Sequence, residues 1–316
     1  MMDQAEQLRN VIKMNPMPRP LARVITVTSG KGGVGKSNTA INLACQFKKL
    51  GQRVIILDAD FGLANIEIMF GTVPKHNLCD LIYQGKSITD IITWGPMDIG
   101  FISGGSGITG LANLSRDYLN YIIQNLAKLD AIADIIIVDT GAGISDAVLD
   151  FLVASGEILV VATPEPTSIT DSYSLLKALN SHPRYSREDS KIKVIANKVS
   201  SVDEGEVMYN KLNSVVNRYL KLPVSYLGAI PQDSHLENAV MQQMPVSMQS
   251  PNSKSAKAYE KMAYTLMDKE YDKSLSKRGM AAFFSHIVAG NKKMGEIRRG
   301  ENECLSKKVR AGGFYD

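Results

Sequence analysis

Short, continuous apolar runs rich in β-branched residues recur at 24–28, 54–57, 99–102, 135–138, 158–162, 194–196 and 226–230. Longer stretches with apolar residues at helical spacing lie between most of them, for example at 36–50, 145–154 and 169–180, with a last one at 251–271. An apolar run without alternation reads as a strand buried on both faces, and helices between such strands make parallel crossovers. The pattern therefore predicts an α/β fold, a mainly parallel sheet with helices on both faces, as a single domain over residues 23–272.

The pattern changes at both ends. Ala5, Leu8 and Ile12 share one face of a short helical stretch, which Asn15-Pro16-Met17-Pro18-Arg19-Pro20 stops, because each proline removes a donor and restricts the residue before it. Residues 1–22 thus form a helical appendage on a stiff linker. At the other end Met280, Phe283, Phe284, Ile287 and Val288 fall on one face of a helix expected over 273–290, and the polar, basic stretch 291–316 is expected to be disordered.

Charge sharpens the second of these. The formal net charge is +4, yet the 44 residues after Asp272 carry ten Lys/Arg against four Asp/Glu, which leaves the body at −2. A near-neutral body argues against direct nucleic-acid binding, and a basic amphipathic end suits an anionic membrane surface, or a helix that docks on the body and is released on ATP binding. No apolar run reaches the roughly 18 residues of a membrane span, and Asp3 and Glu6 do not suit a secretory leader. Cys45, Cys79 and Cys304 show no paired spacing and are expected as reduced thiols of a cytoplasmic protein.

The candidate chemistry starts at the first strand. Gly30-Lys31-Gly32-Gly33-Val34-Gly35-Lys36-Ser37 follows a predicted strand and opens a predicted helix, the setting a P-loop needs. Glycines let the backbone close around phosphate oxygens, and the helix start adds its positive dipole end. Lys36 brings a point charge to the β/γ-phosphates and Ser37 a hydroxyl to Mg²⁺, so ATP and Mg²⁺ are the expected ligands. The candidate nucleotide-contacting run extends to Asn38. Asp58, Asp60 and Asp139 end predicted strands, where carboxylates often only cap helices. Beside a P-loop they become candidates for phosphoryl transfer, which needs positioning and charge compensation above all. Asn197, Pro231, Gln232 and Asp233 follow late strands and fall at the edge where open α/β sheets bind ligands.

Lys31 makes the loop resemble the deviant Walker A group, K-G-G-x-G-K-[ST], of MinD and ParA positioning ATPases. The resemblance implies that Lys31 reaches across a homodimer to the partner's nucleotide, and that Lys31, Lys36 and Asp60 are catalytic. It also implies that Asp60 positions the attacking water and that Ser37, Asp58 and Asp139 serve Mg²⁺. Gly141 or Gly143, in a switch II, would follow the γ-phosphate. Asn197 would contact adenine, with 231–233 as a flanking wall. Asp3-Gln4-Ala5-Glu6-Gln7-Leu8-Arg9, residues 60–65 and residues 163–171 narrow the resemblance to the FlhG (FleN, YlxH) branch, MinD-like regulators of flagellar number and placement. That branch implies that Asp3, Gln4, Ala5, Leu8 and Arg9 stimulate the FlhF GTPase. It further implies flagellar switch (C-ring) or transcription partners, and a location at the inner face of the cytoplasmic membrane, the cell pole included. A cell-division MinD is disfavoured by the N-terminal appendage and a ParA-type DNA partitioner by the charge of the body. An iron–sulfur carrier is disfavoured by the absence of cysteines in 104–110 and 139–143.

Overall fold

The apolar runs become β1 (Arg23–Ser29), β2 (Val54–Ala59), β4 (Gly100–Ser103), β5 (Ile135–Ala142), β6 (Glu157–Ala162), β7 (Lys191–Val199) and β8 (Val224–Pro231). A two-residue strand, β3 (Thr93–Trp94), which is too short to show a pattern, completes one sheet in the order β3-β4-β2-β5-β1-β6-β7-β8. The structure is a computed structural model that describes residues 21–60, 65–104, 123–268 and 279–287. Every strand pair is parallel except β3 with β4, an antiparallel edge.

Alternate residues of each central strand feed opposite faces. Val54 and Ile56 of β2 join Ile25, Val27 and Ile137 under α1 (Lys36–Lys49) and α11 (Lys254–Asp268), where Phe47 and Tyr259 are fully buried. Ile55 and Leu57 point the other way, to α3 (Leu78–Tyr83), α5 (Leu129–Ile132) and α6 (Asp146–Ala154). A third cluster covers the β6–β7 side with α7 (Pro166–Asn180) and α8 (Val202–Leu220). Short helices α2 (Asn65–Phe70), α4 (Ile88–Ile91), α9 (Ser234–Met241) and α10 (Val246–Gln249) fill the connections. Burial on both faces is why these strands read as unbroken apolar runs.

Helical residues 279–287 pack on the body. Met280, Phe283, Phe284 and Ile287 are at most 3% exposed and join the α3–α5–α6 cluster. The Phe283 ring lies 6.0 Å from that of Phe151. Asp130 receives the Met280 N–H at 3.0 Å, and the backbone of Ala22 lies beside the same carboxylate. Arg184, ion-paired with Asp150, donates to the His286 carbonyl at the far end. The apolar stripe expected to meet a membrane is therefore turned inward, since an apolar groove on the same chain is always at high effective concentration. Val288, the N-terminal residues Asp3, Gln4, Ala5, Leu8 and Arg9, and the stretch 291–316 lie outside the described residues. Among those described, no helix is long and apolar enough to cross a membrane.

Candidate nucleotide site

The carboxyl ends of β1, β2, β5 and β7 converge on the loop between β1 and α1. Gly35 caps α1 in a left-handed conformation (φ +93°) without any side-chain hydrogen bond, so the first N–H groups of the helix are left to a ligand. No acidic residue stands in the first turn to compete with an anion. Gly30, expected as a phosphate contact, also lies close against α7. A β-carbon there would sit 2.3 Å from the Asp171 backbone, so the loop can dock on α7 only with glycine.

Lys36 and Asp139 form a buried pair, Nζ to Oδ1 3.0 Å, at 7% and 0% exposure. The Ser37 hydroxyl lies close enough to favour the charged form of the Asp139 carboxyl. Burial pushes the Asp139 carboxyl up, while the Lys36 charge and the Ser37 hydroxyl pull it down. Its second oxygen, Oδ2, is buried without a hydrogen-bond partner. An unsatisfied carboxylate oxygen beside a serine hydroxyl fits a hydrated divalent cation. Among the described residues no three His, Cys, Asp or Glu side chains cluster as metal ligands.

Asp58 pairs with Asp139 in the β2–β5 register, which sets the two carboxylates side by side at the sheet edge. Burial, followed by the neighbouring Asp139 charge, raises Asp58 to about 7. Its oxygens accept from the backbone N–H groups of Asp60 (3.1 Å) and Ile66 (3.4 Å), so it ties Asp60 to the start of α2. Asp60 stands across from Gly141, whose β-carbon position is 3.7 Å from Asp60 Oδ1, and Asn65 Nδ2 lies 3.5 Å from Asp60 Oδ2. The expected water-positioning residue and the expected switch II thus face each other. Gly143 does not share that position. Its N–H is spent on the Ser29 carbonyl at 2.9 Å, tying the end of β5 to the start of the P-loop.

Lys31 lies outside the cradle. Its ammonium pairs with Glu165 (2.7 Å) and Thr167 (3.0 Å), and the Lys31 hydrogen bond and charge hold the Glu165 carboxyl below its usual range. Beside the loop a cleft of about 610 Å³ is lined by Asn38, Asn197, Pro231, Gln232, Leu236 and Met241. It has the size and mixed polarity of a base pocket. Two of the residues expected to read the base are occupied within the chain. Asn197 is 2% exposed and donates its amide to the Val34 carbonyl at 2.7 Å. Asp233 borders the cleft, but its Oδ1 caps α9 at His235 and its Oδ2 takes the Ser255 N–H and hydroxyl at the start of α11. Burial raises the Asp233 carboxyl, but these hydrogen bonds outweigh burial and hold it well below the usual range. Asp233 is a wall and a double helix cap. Glu165, Thr167 and Asn65 lie in the stretches 163–171 and 60–65 that narrow the resemblance, but sequence assigns them no role at the site, because the fold brings them to Lys31 and Asp60.

A phosphate-binding loop, a buried lysine–aspartate–serine cluster and a base-sized cleft at the carboxyl edge of a parallel sheet define a P-loop nucleotide-binding protein. The CobQ/CobB/MinD/ParA nucleotide binding domain family matches residues 25–246, and the chain belongs to that family. It is an ATPase of this family. It is 39% identical to the antiactivator FleN of Pseudomonas aeruginosa over 76% of this chain and 85% of that protein. It is 33% identical to the flagellum site-determining protein YlxH of Helicobacter pylori, over 91% of this chain and 99% of that one. Among solved structures it resembles the septum site-determining protein MinD of Pyrococcus horikoshii complexed with Mg-ADP. The TM-score is 0.62 at 22% identity, over 79% of this chain and 97% of that chain. At that identity the likeness speaks for the fold alone.

Proposed function

We propose that this chain is an ATP-dependent, dimerising switch that controls flagellar number and placement and associates reversibly with the inner face of the cytoplasmic membrane. The observation that carries the ATPase chemistry is the cluster of Lys36, Ser37 and Asp139 with its unsatisfied Oδ2, facing Asp60 across the two switch segments. Ser37 and Asp139 would hold Mg²⁺, Asp139 through water, and the bound ion supplies charge neutralisation at the β- and γ-phosphates. Lys36 exchanges Asp139 for phosphate oxygens. Asp60, held by Asn65 and by its backbone bond to Asp58, orients the attacking water.

Lys31 is the dimer element of this reading. In the single chain it rests on Glu165, and it would leave that pair to reach the nucleotide of a second copy. Helix 279–287 is the output element, docked in the resting protomer and released to an anionic membrane when ATP joins two copies. The flagellar assignment is supported by the FleN and YlxH relatives and by the resemblance of residues 3–9 to the FlhF-stimulating motif. FlhF and flagellar switch or transcription components are the proposed partners, with the cell pole as a working location.

Asp60→Ala tests the switch by size-exclusion chromatography. The variant should accumulate as a dimer in excess ATP and stay monomeric in ADP; a monomer in both nucleotides removes the dimer switch. A peptide spanning residues 1–13 tests the pathway. It should raise GTP hydrolysis by FlhF, and no stimulation would leave an ATPase of this family without that partner.

A further inference from the structure

We propose that Lys198 is a positioning residue of the nucleotide site, which together with Asn197 sets the peptide planes of the P-loop for phosphate binding. The inference rests on the reading of this site as a nucleotide site. It starts from an outlier in the backbone. Lys198 has φ +57°, in the left-handed region that a residue with a β-carbon rarely adopts, at a break in the β7–β8 register between Asn197 and Val199. Non-glycine residues held this way gather at functional sites, where the surroundings enforce the conformation.

The strained turn has a geometric consequence. In a regular strand the side chains of 197 and 198 would point to opposite faces. Here both reach the same loop: Asn197 Nδ2 donates to the Val34 carbonyl at 2.7 Å and Lys198 Nζ to the Gly33 carbonyl at 2.9 Å. Two consecutive side chains thus hold two consecutive carbonyls. In a trans peptide the C=O and the following N–H point in opposite directions. Drawing the Gly33 and Val34 carbonyls toward β7 therefore turns the N–H groups of Val34 and Gly35 the other way, to the cradle side of the loop. Donors aimed before the ligand arrives cost nothing to organise when it binds. Lys198 and Asn197 also line the base cleft, so one pair of residues touches both halves of the site.

The test uses Lys198→Gly, which keeps the left-handed turn without strain but removes the ammonium, and Lys198→Arg, which keeps a cation. Isothermal titration with Mg-ADP and steady-state ATPase kinetics are measured beside the melting temperature. Lys198→Gly should melt near the wild-type temperature, since relief of the strained φ offsets the lost hydrogen bond, yet bind ADP about tenfold more weakly because the loop must then be organised on binding. KM for ATP should rise by a similar factor with little change in kcat, and Lys198→Arg should recover most of the ADP affinity. If glycine proves too mobile at the bulge and the protein melts early, Lys198→Asn, tolerant of the left-handed region, carries the same expectation. Wild-type ADP affinity in a stable Gly or Asn variant overturns the proposal, and so does a collapse of kcat with ADP binding intact. Failure of the wild-type protein itself to bind ADP would instead overturn the nucleotide-site reading.

Discussion

On the proposed membrane latch, replacing Asp130 with alanine should make the resting chain a better membrane binder. The Asp130 carboxylate lies 3.0 and 3.2 Å from the Met280 N–H and anchors the start of helix 279–287, while every apolar contact of Met280, Phe283, Phe284 and Ile287 is made elsewhere. A hydrogen bond to a charged acceptor contributes about 1.5–3 kcal/mol. Asp130 is only partly buried, so solvent screening reduces that to about 1–2 kcal/mol. At about 1.4 kcal/mol per factor of ten, the undocked fraction should rise by about 5- to 30-fold. The apolar stripe remains whole, so it can still enter a lipid surface. The assay is co-sedimentation of nucleotide-free protein with vesicles containing anionic lipid, where the partition coefficient should rise by the same factor. Truncation after Asp272 should abolish the gain, because it removes the apolar stripe itself. A melting curve checks that the Ala22 end of the junction survives. If Asp130→Ala pellets no better than the wild type, docking does not limit membrane binding and the latch is wrong.

Two further outcomes follow from buried geometry. Gly30→Ala places a β-carbon 2.3 Å from the Asp171 backbone, where neither side can yield cheaply. It should cost about 1–3 kcal/mol in stability, with ADP affinity falling alongside the melting temperature; an unperturbed variant would mean the loop does not sit on α7. Burial raises the Cys45 thiol to about 12, above the 9.0 of a free thiol. The folded protein therefore retains a proton on Cys45 that the unfolded chain loses, so this group's contribution to stability is intact below pH 9 and declines as pH rises from 9 toward 12. Native labelling by a thiol reagent at pH 8 should be the same for wild type and Cys45→Ala, and a slower rate in the variant would contradict the burial.

Much of the site is local stereochemistry, and that part was legible. The P-loop, the helix it opens and the carboxylates ending β2 and β5 depend on residues a few positions apart, and the strand runs reflect burial on both faces. The functional pairings are another matter. Lys31 meets Glu165 across 134 positions, and Asp233 is committed to Ser255 across 22. Asn197 was expected as a base contact and is held by the Val34 carbonyl, because a buried amide takes the acceptor the fold puts in reach. Gly143 was grouped with Gly141, but the turn at the end of β5 gives its N–H to Ser29.

The amino-acid sequence alone determined that this is a parallel α/β nucleotide-binding protein with amphipathic residues near one end, because periodicity, glycine placement and strand-end carboxylates are encoded within short windows. Only the tertiary structure decided which way things face. It showed that the apolar stripe at Met280–Ile287 lies against the body, that Lys31 rests on Glu165, and that Lys198 turns back to hold the loop. An apolar face or an ammonium carries no record in sequence of its partner. Distant segments brought together by the sheet compete for it, and the partner that buries the face or satisfies the charge at least cost prevails.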